Sequence, residues 1–177
     1  MPAAQVHLIP INELSVAEIG AIRNQTIAGI VQKASVEWKL TAEQIVVREI
    51  RPATDLDFST EDWFEVTGAT INAYETMTTG NMGDQQYLVI YGVKDDGLPA
   101  VTLLRFNIGG GDRAIWNLQG LYAVNGNDDR IGFSPSAIIV PPRNPYTISR
   151  YVRLIRSPSH LILKGVIVEN RGRTLTP

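Results

Sequence analysis

The sequence contains no cysteine, and only two of its 177 residues are histidines, His7 and His160. The lack of cysteine excludes disulfide bonds and thiolate metal sites. Two histidines this far apart in the sequence do not supply the clustered ligands of a metal centre, and the chain has no Gly-x-Ser-x-Gly motif for a nucleophilic serine. The sequence therefore predicts no catalytic residue, no metal and no cofactor, and a protein that is not an enzyme.

The chain also lacks long apolar runs. None approaches the roughly 20 residues that a membrane-spanning helix needs, and the first residues lack the basic start and apolar core of a signal peptide. Charged residues make up only 19% of the chain and hydrophobic residues 44%. This balance and the length predict one folded domain and not a disordered chain. The low charge further indicates that another molecule covers part of the surface.

The charges that are present are unevenly distributed along the chain. Residues 1–98 contain 6 basic and 14 acidic side chains, whereas residues 99–177 contain 10 basic and 4 acidic ones. The two halves can neutralise each other within one fold, which is the interpretation that we favour. The alternative is a pair of complementary patches that meet between subunits.

The N-terminal part predicts an arm followed by a helix. Pro2 and Pro10 prevent a helix in residues 1–13, which we expect to form an arm ahead of one domain at residues 14–177. Ser15 and Glu18 then form the Ser-x-x-Glu pattern of a capping box. Isoleucines follow at helical spacing and predict a helix near residues 15–33.

From about residue 43 the apolar pattern changes to the period of two that is typical of strands. Roughly eight to ten short strands with regular turns predict a mainly β fold, a single jelly-roll-like sandwich or barrel. Residues 76–84 are polar and glycine-containing, and they predict a loop. The predicted strands are residues 44–50, 63–66, 69–74, 87–93, 99–108, 114–124, 136–140, 146–156 and 161–169.

Two segments carry side chains that other proteins use to bind ions. The carboxylates of Asp55, Asp57, Glu61 and Asp62 could serve as calcium ligands, but their spacing matches no known calcium loop, and a solvated acidic loop is the better interpretation. The run of glycines at residues 109–111 lacks the Gly-Lys-Ser/Thr ending of a phosphate-binding loop and predicts a turn.

The C-terminal third is rich in arginine and tyrosine, which suits either a nucleic-acid surface or a protein interface. The isoelectric point near 5.7 is far from that of a dedicated nucleic-acid binder, so we favour the interface. This segment contains Arg143, Arg150, Arg153, Arg156, Lys164, Arg171, Arg173, Tyr146 and Tyr151.

Two apolar segments also predict self-association, as a dimer or a larger assembly. The strand at residues 161–168 is apolar on both faces, so it either is central in a sandwich or lies against another subunit. The arm carries four apolar side chains without an evident local partner; it either bridges to another subunit or folds back over its own sheet edge. The candidate interface residues are Val6, Leu8, Ile9, Ile11, Arg150, Tyr151, Arg153, Ile162, Val166 and Val168.

In size and element pattern, with an arm, one helix and a jelly-roll strand count, the chain resembles the small major capsid protein of tailless icosahedral phages with an internal membrane. The resemblance implies a single β-barrel in the virion that self-associates and joins a second, larger coat protein in an icosahedral shell. Membrane or nucleic acid would then lie nearby without being bound specifically. The alternatives are a capsid decoration protein or a carbohydrate-binding jelly roll, which Trp63 and Trp116 together on one exposed sheet face would favour.

Overall fold

The computed structural model describes residues 4–60, 64–65, 70–97, 100–122, 130–154 and 159–174. Short 3-10 turns at Ile11–Glu13 and Ala42–Gln44 accompany the regular elements. In chain order these elements are β1 (Ala4–His7), β2 (Ile9–Pro10), α1 (Val16–Trp38), β3 (Ile45–Glu49), α2 (Pro52–Leu56), β4 (Phe64–Glu65), β5 (Tyr74–Asn81), β6 (Gln86–Gly97), β7 (Val101–Ile108), β8 (Gly111–Asn117), α3 (Gln119–Tyr122), β9 (Ile131–Val140), β10 (Pro145–Val152), β11 (Ser159–Asn170) and α4 (Arg171–Thr174).

Eight of these strands pair as one long hairpin that is rolled up on itself. β3 pairs with β11, β5 with β10, β6 with β9 and β7 with β8, and every pairing is antiparallel. The result is sheet 1, in the order β1-β8-β7-β10-β5, and sheet 2, in the order β2-β9-β6-β11-β3, with β4 beside β11. First-with-last pairing of eight strands in two sheets is a jelly roll, and the predicted mainly β fold is confirmed.

The core lies between the inner faces of the two sheets. Trp116 of β8 is fully buried and meets the ring of Phe106 of β7 edge-on, with the ring centroids 4.7 Å apart. Leu88 and Ile90 of β6 and Ile167 of β11 approach the same core from sheet 2. Fully burying each large apolar side chain contributes about 1.5–3 kcal/mol, so these side chains hold the two sheets together.

Helix α1 packs on the outer face of sheet 2. Ile30 and Ala34 of the helix are buried against Val89 of β6 and Val166 of β11. The helix continues to Trp38, five residues beyond the predicted end, because its last turns still have a sheet to pack on. Within the described residues, no helix has the length and apolar character needed to cross a membrane.

The N-terminal arm folds back onto its own domain. β1 adds to the edge of sheet 1 by parallel pairing with β8, and β2 adds to the edge of sheet 2 by pairing with β9. Leu8 between them is only 5% exposed. The free hydrogen-bonding groups of the two sheet edges explain this course. The expectation that the apolar side chains of the arm lack a local partner was therefore wrong.

Several element boundaries differ from those that the sequence predicts. The supposed loop at residues 76–84 is largely β5, a threonine-rich edge strand that needs few apolar side chains because only one neighbour pairs with it. The supposed long strand at residues 114–124 ends at Asn117 and gives way to α3. Residues 71–73 form only an isolated bridge and a turn. Trp63 and Val66 of the predicted strand at 63–66 lie outside the described residues.

The cap of α1 is testable by mutation. The Ser15 N–H donates to the Glu18 carboxylate at 2.8 Å, and the Glu18 N–H donates to the Ser15 hydroxyl at 3.2 Å. We expect Ser15→Ala to lower the free energy of unfolding by about 1 kcal/mol in urea denaturation, because a donor at the helix start loses its acceptor. Gln25→Ala, on the exposed side of α1, is the control and should cause no loss. An equal response of the two variants would contradict a stabilising cap.

Candidate interaction surface

The two outer faces of the sandwich differ in what covers them. The apolar clusters formed by the described residues lie between the sheets and beneath α1, and neither includes the outward side chains of sheet 1. On β7, Leu104 and Phe106 point into the core, so the alternation of the strand places Leu103 and Arg105 on the outside. Sheet 1 thus presents an outer face of five strands.

The strand register arranges the side chains of this face in three rows that cross the sheet. We call these rows the sheet 1 outer face. From β5 to β1, the first row is Tyr74, Tyr151, Leu103, Asn117 and His7, the second is Thr76, Ser149, Arg105, Ile115 and Gln5, and the third is Thr79, Thr147, Asn107 and Asp112.

Two tyrosines and one arginine form a cluster on the sheet 1 outer face. The Arg105 guanidinium lies 4.2 Å from the ring centroid of Tyr74, whose ring is 5.3 Å from that of Tyr151. Partial burial raises the pKa of Tyr74, and the charge of Arg105 offsets part of that rise. The side chains therefore hold one another in place before any partner binds, which lowers the entropy that binding would cost.

The sheet 1 outer face is almost free of charge. Arg105 and Asp112 carry the only formal charges in its rows, with His7 counted as neutral, and their closest N–O approach is 4.0 Å. Interfaces between proteins are enriched in tyrosine and arginine and depleted in lysine and glutamate. In composition, this face has the character of a protein-binding surface.

The structure separates the three C-terminal candidate interface residues. Tyr151 lies on the sheet 1 outer face, and Arg153 is exposed just beyond β10. Arg150 points inward and is only 6% exposed, with its guanidinium 3.2 Å from Glu75 and above the ring of Phe64. Its assignment to an interface was wrong. The alternation of Tyr146, Ile148 and Val152 along β10 could have shown that position 150 faces the core.

Glu75 completes this inward-facing ion pair at the edge of sheet 1. Hydrogen bonds from Thr70 and, to a smaller extent, the pairing with Arg150 lower the pKa of the Glu75 carboxyl. The pair joins an acidic residue of the first part of the chain to a basic residue of the second. The Asp84–Arg143 pair, at 3.0 Å, does the same. These contacts agree with neutralisation of the two parts within one fold.

The apolar candidates on β11 and in the arm are mostly occupied within the chain. Val166 and Val168 are fully buried beneath α1, so their assignment to an interface was wrong; β11 is a central strand covered on both faces. Ile162 is partly exposed. In the arm, Val6 packs against the core that buries Leu8, and both Ile9 and Ile11 are partly buried.

A polar cleft of about 650 Å³ opens between the sheets beside α2. On its wall, the Arg48 guanidinium donates two hydrogen bonds to Asp55, at 2.6 and 2.8 Å, and two to Glu169, at 2.7 and 3.5 Å. The side chains of Asp55 and Glu169 are only 9% and 4% exposed. Gln86 donates to Glu169 as well. Arg48 thus ties β3 to α2 and to the end of β11, and the two carboxylates raise its pKa.

This arrangement corrects the expectation for the acidic segment. Asp55 is neither a solvated residue nor free to bind calcium, because Arg48 and the Arg51 N–H use its oxygens. Asp57 follows α2 with a left-handed backbone, while Glu61 and Asp62 lie outside the described residues. Among the side chains that the structure describes, no three histidines or carboxylates are grouped so that they could hold a metal ion.

The two tryptophans named for a sugar site are not brought together on an exposed face. Trp116 is fully buried in the core, and Trp63 lies outside the described residues. The exposed aromatic pair of the sheet 1 outer face is Tyr74 and Tyr151, which the sequence pattern did not reveal because Tyr74 falls just before the segment that was expected to form a loop.

Comparisons with known proteins add little to this picture. No family model matches the chain, and no curated protein matches it. Among solved structures, VP2 of infectious bursal disease virus, from the crystal structure of its subviral particle, is similar at 11% identity and a TM-score of 0.35. The match covers 73% of this chain, which spans about a third of the length of that one (34%). The jelly-roll assignment stands on the strand pairing of this chain alone.

The Arg48 cluster makes a prediction about stability. Arg48→Met should lower the free energy of unfolding by about 3 kcal/mol, because it removes the cation that contacts two nearly buried carboxylates most closely. Arg143→Met is the matched control: its partner Asp84 is exposed, and its loss should cost less than about 1 kcal/mol. Urea denaturation of both variants at neutral pH measures the difference. Similar small losses of unfolding free energy in both variants would show that the Arg48 cluster does not stabilise the fold.

Tyr146 on the wall of the cleft predicts how stability depends on pH. Burial, with the nearby charges of Asp55 and Asp57, raises the pKa of Tyr146 to about 12. Its hydroxyl donates to the Asp55 carbonyl at 3.0 Å, and its ring lies where a Cβ on residue 80 would be, which explains Gly80.

An unfolded tyrosine titrates near pH 10, so the contribution of Tyr146 is fully present below about pH 10 and is lost as the pH rises to about 12. Unfolding in urea at a series of alkaline pH values should show this decline, and Tyr146→Phe should make it shallower by about 2 kcal/mol. The pKa values of Tyr87 and Tyr91 are also raised, mainly by burial, so some decline should remain. An unchanged profile in Tyr146→Phe would refute the assignment.

Proposed function

We propose that this protein is a structural virion protein, a small coat subunit that self-associates and assembles with other coat proteins into an icosahedral shell. The proposal includes that it is not an enzyme. The single observation that carries it is the sheet 1 outer face, an almost uncharged surface of five strands with a Tyr74–Arg105–Tyr151 cluster, on a jelly-roll fold. Jelly rolls serve as viral capsid domains, as lectins and as cupins.

The interior of the sandwich supports a role that does not involve a ligand between the sheets. In cupin-like and ligand-binding barrels the interior holds the site. Here Trp116, Phe106 and Leu104 are buried at the middle of that space, and in the polar cleft beside α2 the charges of Arg48, Asp55 and Glu169 are paired with one another. Chemistry or binding is thereby directed to the outer surfaces of the domain.

The treatment of the sheet edges also supports ordered assembly. Open edges pair without control and lead to aggregation. In this chain β1 covers the β8 edge along Ala114 to Asn117, and β2 covers part of the β9 edge. Beyond Tyr74, the edge strand β5 carries the threonines Thr76 and Thr79 toward solvent and not aliphatic side chains. Contacts between copies then depend on faces of defined composition.

The finer parts of the proposal concern partners and location. A second, larger coat protein would complete the shell, and membrane or nucleic acid would lie on its inner side without specific contacts. The almost neutral sheet 1 outer face supports this, because a surface that binds nucleic acid needs clustered basic side chains. A decoration protein, which adds to a finished shell, would use the same surface.

A carbohydrate-binding module is the second candidate, and one observation favours it. Tyr74 and Tyr151 lie side by side on an exposed sheet face, and aromatic rings of this kind can stack on sugar rings.

Self-association of the purified chain tests the proposal. Sedimentation velocity over a concentration series, with negative-stain microscopy of the concentrated fractions, should show oligomers that grow with concentration. The same preparation is applied to a glycan array. A chain that remains monomeric throughout, and that binds a glycan which Tyr74→Ala abolishes, would establish the carbohydrate-binding module instead.

A further inference from the structure

We infer that the sheet 1 outer face binds the same face of a second copy of this chain, related by a two-fold axis that passes near Arg105. The inference deepens the proposed function and rests on it, since it names the surface through which the coat subunit meets itself. Three properties of the face carry it: the position of its cluster, its balance of charge and its area.

Arg105 stands at the centre of the face. It belongs to β7, the middle strand of the five, and to the second of the three rows. Tyr74 stacks against it, reaching over the small side chain of Ser149 that lies between their strands. Residues that dominate association energies are enriched in arginine and tyrosine and cluster at the centre of an interface. Leu103 and Ile115, which neighbour Arg105 on the face, supply the apolar surround.

The charges on the face suit a copy of itself. In a two-fold contact the same surface faces itself, so that if residue i of one copy meets residue j of the other, residue j of the first copy also meets residue i of the second. A face whose charges are all of one sign would therefore repel its copy. The rows of this face carry one cation and one anion, Arg105 and Asp112, adjacent to each other, while Arg113 lies outside the rows in the bulge of β8. When the axis passes beside them, Arg105 of each copy faces Asp112 of the other, and both charges are paired twice. Their long intramolecular separation of 4.0 Å leaves each able to make that second contact.

The area is sufficient for a weak specific contact. Five strands about 4.8 Å apart, and three rows that repeat about every 6.7 Å, give a face on the order of 500 Å². Two such faces bury on the order of 1,000 Å², the lower bound for a specific interface. A shell repeats its contacts many times, and linked weak contacts gain strength from that repetition.

Other occupants fit this face less well. Small ligands and peptides prefer a groove or a concave pocket, whereas the rows lie across a continuous sheet. Nucleic acid would require a net positive surface, whereas Arg105 is balanced by Asp112. A second copy supplies a partner of the same dimensions, with paired opposite charges and the same aromatic pair.

Segregating the two charges tests the inference directly. Arg105→Asp gives a face with two acidic residues, and Asp112→Arg gives a face with two basic residues. Each variant alone should self-associate at least about tenfold more weakly than the unmodified chain, because like charges then meet across the axis. An equal mixture of the two should restore association, as a heterodimer that sedimentation velocity and native mass spectrometry identify. This recovery also shows that both variants are folded.

Val36→Asp is the matched control, because Val36 is 75% exposed on α1, on the far side of sheet 2. It should leave association unchanged. If the two charge variants fail to fold, Ile115→Lys decides, since it adds a charge beside Arg105 and retains both Arg105 and Tyr74; it should also weaken association at least about tenfold.

The outcomes separate this inference from the proposed function. If the unmodified chain associates but the folded variants associate equally well, or their mixture gains nothing, this face is not the contact while self-association stands. If the unmodified chain stays monomeric up to about 1 mM, the inference and the self-associating coat subunit both fail.

Discussion

Sheet 2 is apolar on both of its faces, and the architecture of the protein depends on covering both of them. Along β6, Leu88 and Ile90 enter the core between the sheets, while Tyr87, Val89 and Tyr91 point the other way. The second set would be exposed on an ordinary two-sheet sandwich. Helix α1 covers it, and the Tyr87 hydroxyl donates to Glu37 near the end of that helix. The arm then brings the chain from the sheet edges to the start of the helix, so its course follows from the same requirement.

Sheet 1 has the opposite character, and the contrast locates the interaction surface. Its strands alternate between core and exterior side chains, with Trp116 beside Ile115 on β8 as an example. Among the described elements α1 is the one helix long enough to cover a sheet, and the packing energy places it on the sheet that has two apolar faces. The outer face of sheet 1 is therefore left without a helix over it, and this is the face that we propose for contacts between molecules. Its aromatic and nearly uncharged composition suits that use better than exposure to water alone.

Local features of the sequence were sufficient to predict the elements that are determined locally. The capping box at Ser15 fixed the start of α1, and period-two runs located β6, β7 and β11. Features that depend on contacts between distant parts of the chain could not be predicted from the sequence. Arg48 and Glu169 are 121 residues apart in the chain, and the arm pairs with strands more than 100 residues away. β5 was not predicted as a strand, because an edge strand with one neighbour can be rich in threonine and lack the usual apolar pattern. The inward position of Arg150 was predictable from the sequence, because the alternation along β10 already places residue 150 on the core side.

The position of β10 makes the proposed contact depend on synthesis of the chain through residue 152. β10 lies between β5 and β7 in sheet 1, and every row of the sheet 1 outer face runs through it. A nascent chain that ends before residue 152 has the central arginine but not the surface in which it is set. The first-with-last pairing of β3 and β11 adds long loops to close, which makes folding slow. Chains that lack β10 therefore have no complete surface to offer one another in the proposed contact.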